Sequence, residues 1–222
     1  MKERTIKAVL FDLDGTLLDT IEDLADSLNY ILALYELPLH TVAEVKNYVG
    51  NGIPKLLERA VSVDTPKEQI GQMYQQFLAY YQAHCMVKTK PYAGIPALLA
   101  TLKGQGLQMA VISNKADAAT QELILHCFGN SFDYVLGATQ ERKLKPDRAM
   151  IDDALNALSI VPSEAIYVGD SQVDIETARN AEIPCISVTW GFRSREQLIE
   201  SGASMLADTP EDVVKIILGN NI

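Results

Sequence analysis

The segment that most constrains this chain is the run Ile6–Phe11 followed by Asp12-Leu13-Asp14-Gly15-Thr16. A short, largely apolar run of this kind reads as a parallel strand buried on both faces, since such strands lack the alternation of half-exposed ones. It releases two carboxylates and a glycine from its carboxyl end, the edge at which open α/β sheets bind ligands. One carboxylate there can act as a nucleophile, dividing a difficult displacement into two easier steps. The second can carry the proton to a leaving group. Like charges this close raise each other's pKa, so one is protonated or a cation lies between them. Plainer readings are a hairpin turn at Asp14-Gly15 or a helix cap made by an Asp or Thr. A calcium loop is excluded, because Gly15 arrives one oxygen ligand too early. The rest of the chain decides among them.

From Thr20 to His84 the pattern is helical, with no strand candidate. Thr20-x-x-Asp23, Thr41-x-x-Glu44 and Thr65-x-x-Glu68 are capping boxes, and Pro66 is expected at a first helical position. Ile21, Leu24, Leu28, Ile31 and Leu32 recur at helical spacing, and Pro38 is expected to stop that helix. Met73, Tyr74, Phe77, Tyr80 and Tyr81 form an aromatic stripe that reads as core. From Tyr92 onward strands alternate with helices, the signature of a parallel sheet. Strands are expected at Leu107–Ile112, Tyr134–Gly137, Ala165–Val168, Cys185–Val188 and Met205–Ala207.

In a parallel sheet the strand ends share one edge, so distant residues converge there. Ser113 and Asn114 end the second strand and open a helix, whose N-terminus with a hydroxyl is an anion site; Ser113 as a mere helix cap is the simpler alternative. Lys145 lies between a strand and a proline-opened helix, where an ammonium suits a phosphoryl group and a carboxylate nucleophile. Arg142 and Lys143 beside it read as solvated charges. Asp170 and Asp174 follow the fourth strand. Magnesium takes one or two carboxylates plus waters and substrate phosphate, a demand that Asp12, a carbonyl near Asp14, and Asp170 meet. Asp174 then holds a metal-bound water, pairs with Lys145, or caps its helix.

Composition bounds the partners. The net charge of −10 over 222 residues argues against nucleic acid or an anionic membrane as partner. No apolar run reaches the length of a membrane span. The start Met1-Lys2-Glu3-Arg4 runs directly into a strand without a signal peptide. Three distant cysteines, Cys85, Cys127 and Cys185, form neither a disulfide framework nor a zinc site. A cytoplasmic protein, monomer or homodimer, is the expectation.

Together the strand-end clusters resemble the haloacid-dehalogenase-type phosphatase superfamily. Asp12-Leu13-Asp14-Gly15-Thr16 is similar to its first motif, Ser113-Asn114 to the second, Lys145-Pro146 to the third and Gly169-Asp170-x-x-x-Asp174 to the fourth. The resemblance implies an α/β fold: a Rossmann-like, doubly wound parallel sheet core from residues 1–17 and 88–222, with an inserted α-helical cap of type 1 at 18–87. Val49-Gly50-Asn51-Gly52, Pro91-Tyr92-x-Gly94 and Trp190-Gly191-Phe192-Arg193-Ser194 resemble the phosphoglycolate-phosphatase group. Relatives acting on pyrophosphate, nucleotides and sugar phosphates share several of these. Asp14, absent from the dehalogenases, favours phosphoryl transfer, and the resemblance implies a small phosphorylated metabolite as the partner.

The resemblance implies that Asp12 forms an aspartyl phosphate and that Asp14 is the acid and base. Asp12, the Asp14 carbonyl and Asp170 hold Mg2+, with Asp174 in support. Ser113, Lys145, Asn114 and N–H groups near Gly15 and Thr16 bind the phosphoryl oxygens. The cap is expected to close and reach the leaving group through Asn51 and Gly52, with Lys55 and Arg59 nearby. The rivals are a sugar phosphomutase of the same family and a receiver-like signalling module; the latter conflicts with the chain's length and its helical insertion.

Overall fold

The computed structural model describes residues 5–219; the residues Met1–Arg4, read above as leading straight into a strand, lie outside them. The chain divides into two compact units, one formed by Asp19–Lys90 and the other by the chain on either side of it.

The second of these units is built on a six-stranded sheet. Strand β1 (Ala8–Phe11) leads into a tight loop and the short β2 (Leu18–Asp19). After the inserted unit come β3 (Lys90–Pro91), β4 (Gln108–Ala116), β5 (Tyr134–Ala138), β6 (Ala165–Gly169), β7 (Cys185–Val188) and β8 (Met205–Ala207). The large sheet runs β5-β4-β1-β6-β7-β8, and its pairs are parallel, with Phe11 level with Val111 on one side and Val168 on the other. The chain begins in the middle, winds outward through β4 and β5, then returns to wind the other way. That reversal creates a crevice beside the carboxyl end of β1.

Both faces of the sheet are covered, which is why β1 carries apolar residues throughout. Side chains alternate along a strand, so Val9 and Phe11 join one core with α5 (Ile95–Gly104), α6 (Asp117–Phe128) and α10 (Pro210–Leu218). Ala8 and Leu10 join the other, with Tyr167, α7 (Ala149–Leu158) and α8 (Gln172–Asn180). A short α9 (Arg195–Glu200) precedes β8. Strand β4 runs past the expected end at Ile112 to Ala116, with a register irregularity between those residues, and α6 starts only at Asp117. Ser113 is therefore not a helix cap; its Oγ accepts a hydrogen bond from the Lys115 N–H at 3.2 Å.

The inserted unit holds α1 (Ile21–Leu34), α2 (Val42–Tyr48), α3 (Ile53–Ala60) and α4 (Lys67–His84). Met73, Phe77 and Tyr81, one helical turn apart, are its buried stripe on α4. Tyr80 instead stacks between Tyr30 and His84. The Thr41–Glu44 box forms with both reciprocal bonds; the other two expected in this unit do not. Thr20 makes no side-chain cap bond, because Asp23 is taken up elsewhere: it accepts from the Lys88 N–H at 3.0 Å and the Thr89 N–H at 2.9 Å. That attachment draws residues 88 and 89 into the helical unit, so the chain leaves it after Lys90 rather than at the expected 87. Thr65 makes no box either, since Pro66 keeps an extended ψ of 136° and is itself the cap residue. Helix α1 ends before Pro38, at Leu34, where Glu36 takes a left-handed φ of 53°. Cys85, Cys127 and Cys185 are free thiols. Among the described residues no helix is long and apolar enough to cross a membrane.

Candidate active site

Asp12 extends the face of β1 that carries Ala8 and Leu10, with its N–H still bonded to the Val168 carbonyl at 2.9 Å. It therefore meets the groups delivered on that side of the sheet. Lys145, from the loop between β5 and α7, places its Nζ 2.8 Å from Asp12 Oδ1 and 2.8 Å from Asp174 Oδ1. Asp174 sits in the first turn of α8, where its Oδ2 also accepts from the Ser171 N–H and hydroxyl at 3.0 and 2.6 Å. Of the roles open to Asp174, the structure shows two at once: partner of Lys145 and capping carboxylate. A Cβ at Gly169 would stand 2.4 Å from Asp174, so only glycine lets β6 end this close to the carboxylate.

Asp170, which is 1% exposed, is held by the loop after β7. Its Oδ2 accepts from the Phe192 N–H at 2.6 Å, and the Thr16 hydroxyl reaches its Oδ1 at 3.5 Å. Trp190 Nε1 donates to the Thr16 carbonyl at 3.0 Å, tying that loop to the turn after β1. Gly15 packs on Asp170 as well: its φ is +89° and a Cβ there would meet Asp170 Oδ2 at 2.4 Å.

Asp14 points to another cation that the sequence reading passed over. Lys115 Nζ lies 2.9 Å from Asp14 Oδ1, with the lysine side chain only 4% exposed. The preceding Asn114 grips the Lys145 backbone in both directions. Its Nδ2 donates to the Lys145 carbonyl at 3.0 Å and its Oδ1 accepts from the Lys145 N–H at 2.8 Å, beside a cis Lys145–Pro146 bond. Segment 113–115 thus touches both the first and third clusters. Arg142 is not a free surface charge: it pairs with Asp117 at 3.3 Å and donates to the Gly137 carbonyl, bracing the start of the Lys145 loop.

The remaining expected site residues divide. The N–H groups of Gly15 and Thr16 are used inside the turn, bonding the carbonyls of Leu18 at 2.9 Å and Leu13 at 3.3 Å. These residues shape the loop around Asp170. Asn51, Gly52, Lys55 and Arg59 lie in the helical unit. There Arg59 donates to Asn51 Oδ1 at 2.8 Å and to the Tyr48 carbonyl at 2.7 Å, and Lys55 pairs with Glu58 at 2.5 Å. Gly52, at φ +81°, opens α3.

Electrostatically the cluster is short of positive charge. Burial and then the Asp174 charge push the Asp12 carboxyl well above the usual carboxylate range, and Lys145 only partly offsets them. Burial and Asp174 likewise push Asp170 up to about 7. Burial opposes the charge on Lys145, yet Asp12, Asp174 and Tyr167 outweigh it and hold its pKa well above that of an ordinary lysine. Asp12, Asp170 and Asp174 present carboxylate oxygens all within 4.8 Å of one another. Asp174 bonds Lys145 and Ser171 through its two oxygens; Asp12 and Asp170, the latter bonded to the Phe192 N–H, could hold a metal beside it. Two hard, anionic oxygens from different strands suit a small divalent cation such as Mg2+. They do not suit zinc, which favours nitrogen and sulfur.

A sequence profile of the haloacid dehalogenase-like hydrolases matches residues 9–188. The chain belongs to this family. It is 30% identical over 219 residues to the N-acetylmuramic acid 6-phosphate phosphatase of Pseudomonas aeruginosa, covering 98% of this chain and 97% of that protein. It is 32% identical to the phosphoglycolate phosphatase of Thiobacillus denitrificans, with 88% of each chain covered. The crystal structure of a phosphoglycolate phosphatase candidate from Lactobacillus delbrueckii subsp. bulgaricus superposes with a TM-score of 0.94 at 34% identity, covering 97% of this chain and 99% of that one.

Proposed function

We propose that this hydrolase cleaves phosphate monoesters of small carboxylic acids, 2-phosphoglycolate foremost, through an aspartyl-phosphate intermediate. The observation that carries the reading is the pairing of Asp12 with Lys145 at the end of β1, two residues before a second carboxylate held at the same edge by Lys115. The substrate class rests on the relatives: glycolate and N-acetylmuramic acid are both carboxylic acids.

In the first step Asp12 attacks phosphorus in line; the Asp12–phosphorus bond forms, the ester P–O bond breaks, and Asp14 gives its proton to the departing alkoxide. In the second, Asp14 takes a proton from a water molecule as that water attacks phosphorus. The Asp12–phosphorus bond then breaks and orthophosphate leaves. Lys145 keeps Asp12 facing the phosphorus and offsets its charge, while the Ser113 hydroxyl binds a phosphoryl oxygen. Mg2+, held by Asp12, Asp170 and the Asp14 carbonyl, would supply charge neutralisation at the phosphoryl oxygens. Uncatalysed monoester hydrolysis is slow enough that enzymes accelerate it up to about 10²¹-fold, so a fixed arrangement of charge is the main requirement. The free thiols fit a reducing cytoplasm.

The test is phosphate release with Mg2+ from 2-phosphoglycolate, N-acetylmuramic acid 6-phosphate, a hexose phosphate, a nucleotide and pyrophosphate. Asp12→Asn is the control. Turnover of a carboxylate-bearing ester without a bisphosphate activator is expected, and the variant should lose roughly 10³-fold or more with its fold intact. Equal activity in Asp12→Asn would remove the nucleophile assignment. Turnover dependent on a bisphosphate would move the chain to the mutases.

A further inference from the structure

Tyr167 belongs to none of the strand-end clusters. It is fully buried in β6, three residues before Asp170, at a position that apolar patterning alone would fill with Leu or Phe. Its ring does serve as core, packed with Leu10, Ile112 and Met150. Its hydroxyl does something else. It accepts from Lys145 Nζ at 3.0 Å and lies 3.2 Å from Asp174 Oδ1 and 3.4 Å from the Ile112 carbonyl, either of which takes its single proton.

A lysine ammonium has three protons to donate and no acceptor. Lys145 directs them to Asp12 Oδ1 at 2.8 Å, Asp174 Oδ1 at 2.8 Å and the Tyr167 hydroxyl at 3.0 Å. These contacts account for all three. They come from the residue after β1, from α8 and from β6, which meet only in the folded chain, and they leave the ammonium one position to occupy. With two acceptors a long, flexible lysine could swing about the line between the carboxylates; the third fixes it. Asn114 fixes the Lys145 backbone, and Tyr167 fixes the other end of the same side chain.

We infer that Tyr167 is a positioning residue for the reaction, holding the Lys145 ammonium against the nucleophile Asp12. Resting on the phosphatase reading, this makes Lys145 chiefly the fixed counter-charge of Asp12 rather than a mobile ligand of the substrate phosphate. Loss of the hydroxyl then weakens the chemical step and leaves substrate affinity almost untouched.

Tyr167→Phe is the test, since it keeps the ring and its place in the core and removes only the hydroxyl that Lys145 Nζ reaches at 3.0 Å. A hydrogen bond to a charged group is lost, so kcat is expected to fall about 10- to 100-fold. KM should stay within about twofold, and Tm should move by a few degrees at most. The crystal structure of the variant should show Lys145 Nζ displaced from Asp12. An unchanged kcat, a change confined to KM, or an ammonium still seated between Asp12 and Asp174 would each overturn the inference. Should the wild-type protein hydrolyse no phosphate ester, the functional reading falls first, and the variant's crystal structure still decides whether Tyr167 positions Lys145.

Discussion

Replacing Gly191 by alanine tests whether the carboxyl end of β6 is the metal-binding edge. A Cβ at this position would stand 2.3 Å from Asp170 Cβ, 2.4 Å from Asp170 Oδ2 and 2.5 Å from the Gly15 carbonyl oxygen. Comfortable contact between such atoms is about 3.5–4.0 Å, so something has to move by roughly 1 Å. The loop cannot simply withdraw, because the Phe192 N–H holds Asp170 at 2.6 Å and Trp190 holds the Thr16 carbonyl at 3.0 Å. Two of the three contacts are with Asp170 Cβ and the Gly15 carbonyl, so the stem of Asp170 and the Gly15 turn shift and carry the carboxylate with them. Displacing a group that orients a metal costs about 10- to 100-fold in metal affinity, and a 1 Å misplacement costs about 100-fold in rate. Initial rates across a Mg2+ titration should therefore show half-saturation raised by about one to two orders of magnitude, with circular dichroism unchanged. Gly71→Ala, where an added Cβ meets nothing within 4 Å, is the control and should leave the titration as it was. Wild-type Mg2+ dependence in folded Gly191→Ala would show that Asp170 is not a metal ligand.

Two further outcomes follow from the charges. Asp14→Asn should slow hydrolysis of an alkyl phosphate far more than that of nitrophenyl phosphate, whose leaving group needs little protonation; equal losses on both esters would remove the proton-transfer role. The second concerns pH. Asp170 is pushed up to about 7 by burial and Asp174, so between about pH 4, the unfolded value, and about 7 the folded chain holds a proton that the unfolded chain has released. Stability from this group is present in acid and lost as pH rises through that window. Urea unfolding with chelator at several pH values should show Asp170→Asn gaining on the wild type from pH 4 to 7; parallel curves would contradict the assigned burial.

How much of this is legible in the sequence depends on whether a signal is local. Asp12 and Asp170 stand out because each carboxylate directly follows an apolar strand. Lys145, in a loop well after β5, stands out only in company with the other clusters, since a loop lysine by itself reads as a solvated charge. The parallel sheet is visible because its strands are apolar on both sides. Tyr167 is hidden, as an aromatic in a buried strand looks like core until Lys145, over twenty residues away, is seen at its hydroxyl. Lys115 is hidden because the extent of β4 past Ile112 cannot be read from local preference. The three capping patterns of the helical unit are alike on paper, yet only Thr41–Glu44 closes. Asp23 finds stronger partners at Lys88 and Thr89, and Pro66 displaces the start of α4. Competition from distant groups decides each case.

The small pairing of β2 with β3 has a consequence for how such a chain can diversify. The strand that begins the excursion at Asp19 and the one that ends it at Lys90 are neighbours, so to the sheet the whole helical insertion is topologically one long loop with its ends already joined. Loop closure grows only slowly more costly with length. Evolution, or a protein engineer, can therefore exchange everything between those two strands for another sequence and keep the aspartates, the lysine and the tyrosine where they are.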